Sequence, residues 1–181
     1  MKAKPIPDVG YLLQCFKYQD GALYWLERPL EHFKSKQTHA MWNAKFSTKR
    51  AGRQMSGKVP YWQIGLDGKR YLEHRMIAAI HGISVDNNID HKDRNGANNL
   101  PSNLRPATQS QNTKNNSGWR KKESPCGVHQ RSNGTWVAYV RAVGRLKHLG
   151  TFPTMEEALV VRRQAERTYY GAFAAERLVT S

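Results

Sequence analysis

The segment from Ile89 to Asn112 limits what this chain can fold into more than any other part of it. A short apolar run ends in the pair Asp90-His91, a loop dense in Asn, Asp and Gly follows, and Asn103-Leu104-Arg105 reads as a returning strand. Thr108 with Gln111 three residues on makes a capping box, so a helix is expected to begin there and to carry Asn112 in its second turn. This order of elements brings Asp90, His91, Asn103 and Asn112 to one place from a strand end, a returning strand and a helix. Single loop residues such as Asn95, Asn98 and Asn99 are explained by the tolerance of asparagine for turns, and an Asp-His dipeptide alone carries little. Turn chemistry does not explain Asp-His on one side and a capped helix bearing Asn112 on the other.

The residue types offer the parts that one hydrolytic chemistry needs. Hydrolysis of a phosphodiester needs a base for the attacking water and a cation for the charge that grows on the phosphate. Imidazole, with an ordinary pKa near ~6.5, is a base at neutral pH, and the oxygen donors Asp90 and Asn112 are hard ligands suited to Mg²⁺ or Mn²⁺. From Glu73-His74-Arg75 through Asn112 the chain resembles the HNH endonuclease family, in its phage-type branch, whose core is a ββα-metal motif. The resemblance implies His91 as general base, Asn103 as the residue that holds the loop and orients the base, and Asp90 and Asn112 as metal ligands. Many family members carry His where Asn112 stands, and the amide favours Mg²⁺ over a metal that prefers nitrogen. His74 and Arg75 are candidates for a phosphate contact, with core packing an equal alternative for His74, and Arg105 joins the DNA-binding candidates. The remaining histidines, 32, 39, 81, 129 and 148, show no ligand spacing.

Charge points to the same partner. The chain has 181 residues with 29 Lys plus Arg against 14 Asp plus Glu, a net +15 that calls for a polyanion. A hydrophobic content of 39% with five Trp, eight Tyr and five Phe is enough for packed cores, and the length suits two small ones. Two cysteines, Cys15 and Cys126, are too few for a disulfide framework or a four-cysteine zinc site, so no structural zinc is expected. A reducing cytoplasm is the expected location, the host's if the chain is phage-encoded. No apolar run is long enough for a signal peptide or a membrane span.

Along the chain, Leu12 to Trp25 reads as a hairpin about Asp20-Gly21, and residues 26–57 read as irregular with one short helix. Residues 61–66 alternate and turn back at Asp67-Gly68, and Leu72 to His81 is a short amphipathic helix stopped by Gly82. Residues 127–131, 135–141 and 145–150 read as three strands, and Thr154 with Glu157 caps a helix that places Ala158, Val161, Ala165 and Tyr169 on one face before Gly171. Gly127-Val128, Trp136, Ala138, Leu149-Gly150-Thr151-Phe152 and Glu156-Glu157-Ala158 together resemble the AP2 DNA-binding domain, although His129, Asn133 and His148 depart from its plant members. Tyr139 and Arg141 are expected on the sheet face opposite Trp136, Ala138 and Val140. Lys114, Arg120, Lys121, Lys122, Arg131, Arg145 and Lys147 complete the DNA-binding candidates.

The expected organisation is α+β: an N-terminal hairpin-containing segment (1–57), an HNH nuclease core of ββα-metal type (58–116), a linker (117–125), and a small AP2-like domain of three antiparallel strands plus one helix (126–181). The expected function is metal-dependent cleavage of double-stranded DNA, with no membrane and no protein partner required. A non-catalytic DNA-binding regulator on the same scaffold is the alternative, opposed by the intact Asp90, His91 and Asn112.

Overall fold

The computed structural model describes residues 5–57, 59–115 and 127–174. They form an α+β protein of small antiparallel sheets and short helices, divided into two compact units, Met1–Gln109 and Ser110–Ser181.

The first unit opens with helix α1 (Val9–Cys15), capped by Asp8, whose carboxylate accepts the N–H groups of Gly10 and Tyr11 at 2.8 and 3.3 Å. The sequence pattern suggests strand from Leu12 onward, but Leu12 and Cys15, three residues apart, are both fully buried and share a helical face. The hairpin is confined to β1 (Phe16–Gln19) and β2 (Ala22–Trp25), whose turn residues Asp20 and Gly21 both have positive φ.

Residues 26–57 contain helix α2 (Lys36–Phe46), begun by a reciprocal capping box between Ser35 and Thr38. What fixes this segment is Arg28, 5% exposed, with its guanidinium 5.2–5.9 Å from the ring centres of Tyr11, Trp25, Phe33 and Trp42. Its Nη2 donates to Asp67 Oδ1 at 2.9 Å and to the Tyr11 hydroxyl at 2.6 Å, and Asn43 pairs with its main chain in both directions. The charge is thereby paired and hydrogen-bonded, which its burial demands.

A three-stranded sheet, β3 (Arg53–Gln54), β4 (Trp62–Leu66) and β5 (Lys69–Leu72), follows in that order. Only glycine suits position 52, where φ is +81° and a Cβ would lie 2.4 Å from the Gln63 carbonyl oxygen. Strand β5 runs directly into helix α3 (Glu73–Ile80), buried from Glu73 to Ala79. Met76 and Ile77, both 0% exposed, pack with Leu12, Phe16, Leu23, Ile64, Ile89 and Leu104, each such side chain contributing about 1.5–3 kcal/mol by burial. Over this core lies a two-stranded ribbon, β6 (Asn88–His91) and β7 (Leu104–Ala107), with Asp90 opposite Arg105 and His91 opposite Leu104.

Helix α4 (Gln109–Asn115) begins at the last residue of the first unit and passes into the second. The second unit has β8 (Val128–Gln130), β9 (Trp136–Ala142) and β10 (Arg145–Phe152) in antiparallel order β10-β9-β8, packed on helix α5 (Met155–Tyr170). Thr154 caps α5 by accepting the Glu157 N–H at 3.3 Å. Val128, Ala138 and Ala158 are fully buried at its centre, with Trp136, Leu149, Phe152, Met155 and Leu159 around them. Among the described residues no helix is long and apolar enough to cross a membrane.

Candidate active site

Strand pairing alone sets the first pair of side chains. Asp90 and Arg105 face each other across β6 and β7, and Asp90 Oδ2 accepts from Arg105 Nε at 2.8 Å and Nη2 at 2.7 Å. Arg105 is thus engaged inside the unit through a forked, charge-assisted contact. The adjacent His91 is 4% exposed, and its ring stands edge-on to that of His74 at 4.9 Å, with Tyr61 at 5.9 Å. Gly96 at the loop tip is pressed against this wall, since a Cβ there would lie 2.4 Å from Val59 and 2.8 Å from the Tyr61 ring.

The loop between the strands is a closed polar web. Lys92 N–H donates to the Asn103 carbonyl at 2.9 Å, and Asn103 Nδ2 donates to Asp93 Oδ1 at 2.9 Å and to the Asn98 carbonyl at 2.8 Å. Asn103 Oδ1 accepts the Asp93 N–H at 3.1 Å, while Asp93 also accepts from Asn95 N–H and Asn98 Nδ2. Burial alone would raise the Asp93 carboxyl, but the bonds from Asn95, Asn98 and Asn103 hold it below the ordinary carboxylate range.

Asn99 is the side chain that reaches the histidine: its Oδ1 lies 2.9 Å from His91 Nε2, and its Nδ2 donates to Glu73 Oε2 at 3.0 Å. Glu73, 0% exposed, also accepts the Leu23 N–H on Oε1 at 2.9 Å and Arg50 Nη2 on Oε2 at 3.1 Å. Burial pushes the Glu73 carboxyl up, opposed by the Leu23 N–H, Arg50 and Asn99. Sequence reasoning missed both residues. Glu73 had a signal, an acid standing three and four residues before Met76 and Ile77 on the apolar stripe of α3. Asn99 had none, because Asn98 beside it has the same residue type.

His74 and Arg75 lie inside the unit, 5% and 9% exposed, and Arg75 Nη2 donates to the Val85 carbonyl at 2.8 Å. Burial first, then the neighbouring His91 and Arg75, lowers the His74 imidazole to about 3, which keeps it neutral. The Tyr61 hydroxyl is pushed up by burial and, secondarily, by the Asp90 charge. The described residues contain no group of three or more His, Cys, Asp or Glu side chains able to hold a metal. The donor chemistry nevertheless fits a hard divalent cation: Mg²⁺ usually takes one or two carboxylates, keeps waters and shares substrate phosphate rather than needing a protein cage. Asp90 is such a carboxylate, and Asn112 lies on the part of α4 that belongs to the second unit.

On the second unit, register sorts the basic candidates. Tyr139 pairs with His148 and Arg141 with Leu146, so these four occupy the sheet face turned away from α5. Arg145 and Lys147 pair with Ala142 and Val140 and so alternate to the helix side, where Lys147 Nζ lies 3.2 Å from the Tyr169 hydroxyl. Val137, although on the outward face, is 3% exposed. Arg131, Arg141, Arg145 and Lys147 are exposed, Tyr139 is half-buried, and Lys114 Nζ sits 4.9 Å from the Tyr170 ring centre. Arg120, Lys121 and Lys122 lie outside the described residues.

Comparison with known proteins gives one named relative. The chain is 37% identical over 111 residues to an uncharacterized HNH endonuclease, L560, of Acanthamoeba polyphaga mimivirus, a match covering 60% of this chain and 57% of that protein. No family model and no solved structure matches. The chain is therefore a distant relative of a protein bearing the HNH endonuclease name, and it spans little more than half of that protein's length.

Proposed function

We propose that the chain is a metal-dependent DNA endonuclease of the HNH class, with a ββα-metal core and a C-terminal AP2-like module that grips duplex DNA. The observation that carries this reading is Asp90 and His91 side by side at the end of β6, both 4% exposed, with the imidazole hydrogen-bonded by Asn99. A base that must take a proton in one direction gains from being held in one orientation. In this reading His91 removes a proton from water as the water oxygen attacks phosphorus, the bond from phosphorus to the leaving oxygen breaks, and solvent protonates that oxygen. Asn103 keeps the loop closed around the base. Asp90 and Asn112 are assigned to Mg²⁺ or Mn²⁺, which when bound stabilises the charge developing on the phosphate and the leaving oxygen. Arg141, Tyr139 and their basic neighbours hold the duplex, chiefly by its phosphates.

One observation favours the alternative, a DNA-binding regulator on a retired nuclease scaffold. Arg105 already holds Asp90 Oδ2 with two nitrogens, as it would in a site that no longer takes a cation. Cleavage of supercoiled plasmid decides between them. The nuclease reading expects nicked or linear product that disappears with EDTA and returns with Mg²⁺ or Mn²⁺, and that Asn112→Ala loses at unchanged thermal stability. Tight DNA binding with no cleavage in either metal supports the regulator.

A further inference from the structure

We propose that Glu73 is a positioning residue for the candidate general base, acting through Asn99 to keep the proton of neutral His91 on Nε2 and so make Nδ1 the proton-accepting nitrogen. This rests on reading His91 as the base, and it adds a buried carboxylate on another element to Asp90, His91, Asn103 and Asn112, the side chains to which the resemblance gives roles.

The direction of the relay follows from what each atom can donate. Glu73 sits at the first turn of α3 with no exposure, and its hydrogen bonds come from donors: Leu23 N–H on Oε1, Arg50 Nη2 and Asn99 Nδ2 on Oε2. A carboxylate only accepts, so the side of Asn99 that faces it must be the amide nitrogen. The opposite side of Asn99 is then the carbonyl oxygen, which also only accepts, and at 2.9 Å from His91 Nε2 it requires that nitrogen to carry hydrogen. An amide alone could turn over and present either end to the ring. Glu73 removes that freedom, because a flipped Asn99 would aim its oxygen at a carboxylate oxygen inside the core. Asn99 is 1% exposed, so water does not offer a substitute partner. The ring is also flanked by His74 at 4.9 Å and Tyr61 at 5.9 Å, which act on its plane, whereas the bond from Asn99 acts on which nitrogen carries hydrogen.

Glu73→Gln inverts this logic with almost no change of shape. If the introduced amide keeps its oxygen on the Leu23 N–H, which as backbone cannot turn away, its NH₂ faces the donor Asn99 Nδ2. Asn99 relieves the clash by flipping, and its NH₂ then meets His91 Nε2, which must become an acceptor with the proton on Nδ1. A wrong tautomer removes the base without removing the residue.

The test uses the full chain with ¹⁵N-labelled histidine, the His91 ring signals being assigned by their loss in His91→Ala. The expected result is an Nε2–H tautomer in the wild type and an Nδ1–H tautomer in Glu73→Gln, with kcat for DNA cleavage down roughly 10²- to 10⁴-fold, the range of a positioned base, and KM for DNA unchanged. Asn99→Ala cuts the relay but leaves Glu73 with Leu23 and Arg50. It should give a mixed tautomer, and adding Glu73→Gln to it should cost no further activity, because residues in one chain of contacts are non-additive. An Nε2–H tautomer that survives in Glu73→Gln, or an activity loss that recurs in full on the Asn99→Ala background, overturns the proposal and leaves Glu73 as a core brace. If Glu73→Gln does not fold, a pure Nε2–H tautomer in Asn99→Ala overturns it equally. Wild-type cleavage by His91→Ala would instead refute the general-base reading, while a tautomer switch in Glu73→Gln would still support the relay.

Discussion

The two units spend their polar residues in opposite ways. In the first, Glu73, His74, Arg75, Asp90, His91, Asn99 and Asn103 are all less than a tenth exposed and most are joined through hydrogen bonds. In the second, Arg131, Arg141, Arg145 and Lys147 are exposed, and the buried charge named there is the pair Arg162 and Glu166 on α5, 3.0 Å apart. A buried polar group costs about 1–3 kcal/mol if its partner is lost, so the first arrangement is stable only while the network is complete. Exposed cations cost the fold little and act at a distance on a polyanion. In the proposed reading, precision belongs to the first unit and grip to the second, so each can be altered without the other.

The largest expected effect falls on the first unit. His91→Ala should lower cleavage roughly 10²- to 10⁴-fold while leaving DNA affinity nearly intact, because a positioned base contributes that much and the exposed cations are untouched. Equal cleavage by mutant and wild type, measured under single-turnover conditions, would end the division of labour proposed for the two units.

An effect nearly as large is expected in stability on the second unit. Arg162 and Glu166 are 6% and 3% exposed at the side chain, and Arg162 Nε and Nη1 are buried with no hydrogen-bond partner among the described residues. Position 127 must be glycine because a Cβ would lie 2.6 Å from Arg162 Nε. Glu166→Ala leaves that guanidinium uncompensated and should destabilise the unit by about 3–5 kcal/mol, read as loss of its transition in a denaturant melt. Melting within about 0.5 kcal/mol of wild type would mean that the pair is as dispensable as an exposed one.

How much of this was legible in the sequence follows the same division. Short-range signals translated well: turns at Asp20-Gly21 and Asp67-Gly68, the stop at Gly82, the cap at Thr154 and the three C-terminal strands all appear where spacing put them. The strand that ends in Asp90 and His91, and its return at Leu104 and Arg105, were legible from the apolar run and the loop composition between them. Arg28 was not, since its environment is assembled from α1, β2, α2 and the β4-β5 turn, which no local pattern connects. The partners of Glu73 likewise lie 26 and 50 residues away in sequence, so its acid on an apolar stripe was a signal without an address, while Asn99, eight residues from His91, was hidden by the identical Asn98 beside it. Alternation along β9 made the outward face of Arg141 legible, whereas the faces of Arg145 and Lys147 on β10 were not, because register across the turn decides that Lys147 meets Tyr169.

A smaller effect separates binding from chemistry on the second unit. Arg141→Ala in the full chain should weaken duplex binding at every sequence alike and reduce the slope of log affinity against log salt by about 1, the signature of one lost phosphate contact. The rate at saturating DNA should stay at the wild-type value. An unchanged salt slope would remove Arg141 from the DNA-facing set, and a lower saturated rate would show that grip and precision are coupled after all.

The smallest effect is thermodynamic and concerns His74, whose imidazole is held down to about 3 by burial, with repulsion from His91 and Arg75 adding to it. In the unfolded chain the same ring titrates near ~6.5. Between those values the unfolded chain binds a proton that the native unit refuses, so the stabilisation is complete above about pH 6.5 and is lost as pH falls toward 3. One pH unit below 6.5 should therefore cost the first unit about 1 kcal/mol. Glu73 acts in the opposite sense, because its raised carboxyl lets the native unit hold a proton more readily than the unfolded chain does, and His32, lowered by burial first and then by Arg28, acts in the same sense as His74. Both are present in wild type and in His74→Gln, so the difference between the two pH–stability curves isolates the imidazole. His74→Gln should lower stability at pH 7.5 through the altered packing beside Tyr61 and His91, yet converge on the wild type as pH falls to 5.5. Parallel curves across that range would mean that His74 takes up its proton inside the folded unit, and the ring wall around His91 would then carry charge instead of excluding it.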